Sequence, residues 1–73
     1  METIGNRAAK EIKKRAKQNG VSSYKEAGKM EISNKLLCAW QKNINPSAYY
    51  LQQMALAGYD VIYILTGEKD CGN

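Results

Sequence analysis

The sequence predicts an all-α fold, a compact bundle of five short helices forming one domain over residues 1–67. Three observations predict it. Apolar side chains at Ile4, Ala8, Ile12 and Ala16 recur every four residues with lysines between them. Ser22, Ser33, Ser47 and Asp60, all good N-caps, each stand just before a further apolar-patterned segment. A chain of 73 residues has room for one modest core and no second domain.

The first helix, carrying Lys10, Lys13, Lys14 and Lys17 on its polar side, ends at Asn19-Gly20, since Gly takes φ > 0 without steric cost. The second runs from Ser23 to about Met30 and the third from Asn34 to Lys42, where Asn43 supplies a left-handed closing residue. Asn45-Pro46-Ser47 is a turn into the fourth helix, Ala48 to Ala57, with Leu51, Met54 and Ala55 on one side and Gly58 as its stop. The fifth segment, Val61 to Leu65, has the β-branched content of a strand. A lone strand has nothing to pair with, which favours a helix closed by Thr66-Gly67. Residues 68–73 form a polar tail expected to fray.

Composition excludes several function classes. No apolar run approaches the roughly 18 residues of a membrane span and no signal-peptide pattern opens the chain, so a cytoplasmic protein is expected. The apolar side of the first helix is mostly alanine, too little area to insert into a membrane surface. There is no histidine, the seven carboxylates are scattered, and Cys38 and Cys71 lie far apart. Neither a catalytic constellation nor a metal site is expected, and no cofactor; both cysteines read as free thiols. Tyr49, Tyr50, Tyr59 and Tyr63 cluster near the C-terminal helices, which assigns them to packing rather than to stacking on single-stranded bases.

Charge is unevenly placed. Residues 1–42 hold ten Lys/Arg and four Asp/Glu, net +6, whereas residues 43–73 hold one and three, net −2. A basic half joined to a mildly acidic half points one face at a polyanion. The second and third helices, joined by Met30-Glu31-Ile32-Ser33, have the layout of a helix-turn-helix. At about 100° per residue, Leu36, Leu37 and Trp40 share one arc of the third helix, and Asn34, Lys35, Cys38, Ala39 and Lys42 the other. That second arc has no acidic residue to repel phosphates. Asn pairs with adenine N6/N7, Lys donates to guanine O6/N7, and Ala39 and Cys38 are small enough to touch a thymine methyl. The helix N-termini at Ser23 and Ser47 present backbone N–H groups suited to phosphate oxygens, with Tyr24, Lys25, Lys42 and Asn43 near those ends.

Over about Ile12 to Gly67 the chain resembles the XRE family, the lambdoid repressor and Cro-type helix-turn-helix domains. The residues that carry the likeness are Ile32-Ser33 opening a helix that ends in Trp40-Gln41-Lys42-Asn43, then Pro46-Ser47 before Tyr50-Leu51. The closing Gly58-Tyr59-Asp60-Val61-Ile62-Tyr63-Ile64-Leu65-Thr66-Gly67 is similar to the family's G-x-D-V-x-x-(I/L)-L-T-G ending. The resemblance implies a lambda-repressor-like fold with the third helix in the major groove. It implies base contacts at Asn34, Lys35 and Ala39, with Cys38 beside them, and backbone contacts at Ser23, Tyr24, Lys42, Asn43 and Ser47; Lys25 joins the backbone contacts by its place near the start of the second helix. It also implies a homodimer on a palindromic operator. Glu31 stands where the family's tight turn has Gly, which requires strain or a different bend. Glu26 stands where an apolar core residue is usual, which predicts a second helix rotated or less buried. Gln41 and Asn43 replace the common Glu and Gly. The function expected is a sequence-specific duplex-DNA-binding transcriptional regulator of bacterial or phage repressor type. The alternative is a protein-interaction module on the same fold: an antitoxin, antirepressor or adaptor.

Overall fold

A computed structural model describes residues 2–68; Cys71 and most of the polar tail lie outside them. Five α-helices and no strand occur among the described residues: α1 (Ile4–Asn19), α2 (Ser23–Gly28), α3 (Asn34–Gln41), α4 (Ala48–Leu56) and α5 (Val61–Thr66). The all-α expectation holds, including for the β-branched Val61 segment. Three helices end earlier than expected: α2 stops at Gly28 rather than near Met30, α3 at Gln41 and α4 at Leu56.

Capping accounts for most boundaries. The Ser22 Oγ accepts from the Lys25 N–H (3.1 Å), the Ser33 Oγ from the Leu36 N–H (3.2 Å), and the Asp60 carboxylate from the Tyr63 N–H (3.0 Å). Ser47 occupies the N-cap position of α4 without making a side-chain cap bond. α1 opens on a capping box not anticipated from the sequence: the Thr3 hydroxyl accepts from the Asn6 N–H, and the Asn6 side-chain oxygen from the Thr3 N–H.

α1 is the central strut, resting against α2, α3 and α5. Its Ala8, Ala9 and Ile12 meet Ala27, Met30, Ile32, Leu37, Trp40, Met54, Tyr59 and Ile64 in one buried cluster. Leu51 packs at the edge of this core, whereas Ala55, expected beside Met54, is exposed, because no described residue covers it. Trp40 reaches α4 through an edge-on contact with Tyr50, centroids 5.9 Å apart, and Tyr50 meets Tyr49 at 5.1 Å. Tyr59 is buried, and Tyr50 and Tyr63 are half-buried. Tyr49 departs from the packing expectation and stays half exposed.

α1 also satisfies the terminal carbonyls of three other helices, which their own backbones leave without partners. The Asn6 amide donates to the Trp40 and Gln41 carbonyls (3.0 and 3.3 Å) at the end of α3. Arg7 donates to the Ile64 and Leu65 carbonyls (2.8 and 3.2 Å) at the end of α5. Arg15 donates to the Ala57 and Gly58 carbonyls (2.7 and 3.1 Å) after α4, its guanidinium 3.8 Å from the centre of the Tyr59 ring.

Glu26 corrects the expectation of a rotated or less buried α2. It is 5 % exposed, beside the fully buried Ala27. It is accommodated because the Asn19 amide donates to its carboxylate (3.1 Å) and Lys29 pairs with it (3.4 Å). The Asn19 hydrogen bond and the Lys29 charge outweigh desolvation and hold the carboxyl below its ordinary value of 4.5.

Candidate nucleic-acid interface

The turn between α2 and α3 decides which way α3 faces. Met30 and Ile32 are both buried, so the chain must reverse within the one residue between them. Glu31 does this at φ 61°, while the Ile32 N–H donates to the Ala27 carbonyl (3.1 Å). The turn therefore accepts a left-handed non-glycine residue rather than bending differently. From Ser33 onward, Leu37 and Trp40 are buried and Leu36 half-buried, so α3 is fixed by one apolar side.

The opposite side is open. Asn34, Lys35, Cys38 and Lys42 are exposed and Ala39 half-buried, and these five residues line one shallow hollow together with Ile44. Ile44 is a member that pattern reading missed, because it belongs to a loop rather than to the helical period. Among the described residues, no carboxylate lines this hollow. Asp60, from the mildly acidic half, lies instead beside Glu11, Lys14 and Arg15 of α1.

No family model, curated protein or solved structure matches this chain.

The loop after α3 is held from behind. Asn43 adopts φ 74°, the left-handed closing conformation expected of it, and the Ile44 N–H returns to the Ala39 carbonyl (3.1 Å). The Asn45 side chain accepts from the Gly5 N–H in the first turn of α1 (3.3 Å). At Gly5, α1 runs so close to this loop that a Cβ would lie 2.1 Å from the Ile44 carbonyl oxygen and 2.9 Å from that of Trp40. Asn6 bonds the last carbonyls of α3, so residues 3–6 position both the end of α3 and the loop beyond it.

The remaining predicted residues lie at helix starts outside this hollow. Ser23 is half-buried, and Tyr24 and Lys25 are exposed at the start of α2. Ser47 is exposed before α4 and makes no side-chain cap bond, while its carbonyl accepts from the Tyr50 and Leu51 N–H groups (3.1 Å each). Gln41 faces away from the hollow, toward Asn6, Lys10 and Lys13 of α1. The α3 side of the molecule presents amide, ammonium and small side chains over an apolar floor. Such a surface can donate hydrogen bonds to acceptors and touch methyl groups.

Proposed function

We propose that this chain is a sequence-specific, double-stranded DNA-binding regulator of transcription. In this reading α2 and α3 form a helix-turn-helix of the lambda-repressor-like kind, and α3 lies in the major groove. The observation that carries it is the exposed, carboxylate-free side of α3, where Asn34, Lys35, Cys38, Ala39 and Lys42 come together. Asn34 and Lys35, in the first turn, read base edges. Ala39 and Cys38 permit close approach, with Ile44 adding apolar contact toward a thymine methyl. Ser23, Tyr24, Lys25, Lys42, Asn43 and Ser47 hold phosphates on either side. Two copies on a palindrome place two α3 helices about one turn of DNA apart. The protein works in the cytoplasm, has no catalytic role, and needs neither cofactor nor metal.

Selecting bound duplexes from a random pool, then titrating the winner against random duplex at several salt concentrations, tests the reading. A palindromic consensus is expected, with affinity falling steeply as salt rises. Lys35→Ala should relax base preference, each lost base contact being worth about 1–3 kcal/mol. Lys42→Ala should weaken all sequences alike and reduce the salt slope by about 1. Affinity indifferent to salt, or the same effect from both substitutions, would reject the assignment of α3 and favour the protein-interaction module.

A further inference from the structure

A second surface carries charge that neither the core nor the α3 site uses. Lys10, Lys13, Lys14 and Lys17 lie on the side of α1 opposite the buried Ala8, Ile12 and Ala16, and all four are exposed. With Glu11 and the half-buried Tyr63 they line an open groove. Lys10 pairs with Glu2, while Lys13, Lys14 and Lys17 have no carboxylate partner among the described residues. Arg7 and Arg15 leave this surface for helix-end carbonyls, so the cations of the stripe are all lysines.

We infer that this groove docks an acidic, amphipathic helical segment of a partner protein, in a helix-in-groove manner. Lys13 and Lys17 are one turn apart, about 6 Å along the axis, matching carboxylates spaced i, i+4 on a helix lying alongside. An apolar side chain of the partner rests on Tyr63. Duplex DNA fits less well, because its unbroken row of phosphates would meet Glu11 in the groove, whereas a peptide helix can set an uncharged side chain opposite that carboxylate. The inference does not rest on duplex binding by α3.

The probe is a synthetic peptide helix with Glu at i, i+4 and Leu on the adjoining stripe, titrated into the isotope-labelled full chain. Amide shifts are expected at Lys13, Lys14, Lys17 and Tyr63 and not over Asn34–Lys42. The triple variant Lys13→Gln, Lys14→Gln, Lys17→Gln should bind the peptide about tenfold more weakly. Its helical circular dichroism, melting temperature and affinity for the selected duplex should stay unchanged. Equal binding of a control peptide with Ser in place of Leu would overturn the proposal, since charge alone would then suffice. So would shifts centred on α3, or loss of duplex binding in the triple variant, which would assign the stripe to nucleic acid. The Lys35→Ala and Lys42→Ala measurements stand or fall separately.

Discussion

Gly5→Ala separates helix propensity from tertiary fit, because the two predict opposite signs. Propensity alone favours Ala over Gly within a helix by about 1 kcal/mol. The added methyl, however, would sit 2.1 Å from the Ile44 carbonyl oxygen, and reaching the 3.4 Å of ordinary contact needs about 1.3 Å of movement. Its neighbours are backbone atoms of Trp40 and Ile44, which have no rotamer to change. Overpacking of this kind costs about 1–3 kcal/mol, and the rigid neighbours place it at the upper end. Retreat of the loop also strains the Gly5–Asn45 and Asn6–Trp40 hydrogen bonds, each worth about 1 kcal/mol. The net expectation is a loss of about 2–4 kcal/mol, or a melting temperature lower by about 10–25 °C for a domain of this size. Gly28→Ala is the control. Gly28 is the last residue of α2, its φ is not positive, and a Cβ there meets nothing within 4 Å. That change should be neutral or stabilising by up to about 1 kcal/mol. Thermal and urea unfolding of the two variants decide the matter. A rise in melting temperature for Gly5→Ala, or equal shifts in both, would refute the close approach of α1 to the α3–α4 loop.

Glu31→Gly should stabilise the chain. The left-handed conformation costs a non-glycine residue about 1–2 kcal/mol, of which the entropy of an added glycine cancels about half, leaving a gain of up to about 1 kcal/mol in urea unfolding. The same change removes the acidic residue just before α3 and should tighten duplex binding in a salt-dependent way. Glu26 should make stability fall in acid. Its folded-state pKa lies below the ordinary 4.5, so its contribution is present above that value and is lost as pH drops through the depressed folded value. Glu26→Gln should flatten the acid limb of a stability–pH profile while lowering stability at neutral pH. An acid limb of unchanged depth in this variant would show that the Asn19 and Lys29 contacts contribute nothing. Glu2 is shifted in the same direction by Lys10 but is solvent-screened.

The helices were readable because their ends are written locally. Ser22, Ser33 and Asp60 cap within three residues of themselves, and Gly20 and Asn43 close helices by their own backbone preference. The two sides of α3 were readable for the same reason, since periodicity alone separates Leu37 and Trp40 from Asn34, Lys35 and Cys38. What escaped is what distant residues decide. Glu26 reads as a misfit until Asn19, seven residues earlier and at the end of another helix, supplies its hydrogen bond. Gly5 carries no local signal, and its necessity comes from carbonyls about forty residues away. Charge was the most misleading quantity, because a net count treats every cation of the basic half alike. Arg7 and Arg15 are consumed by the carbonyl ends of α5 and α4, and Lys10 and Lys29 by carboxylates. The cations that remain divide between two surfaces. Lys25, Lys35 and Lys42 lie on α2 and α3, and Lys13, Lys14 and Lys17 on the far side of α1. A basic half therefore does not amount to a single polyanion face. Binding experiments that pool all the lysines into one electrostatic surface would merge two separate surfaces.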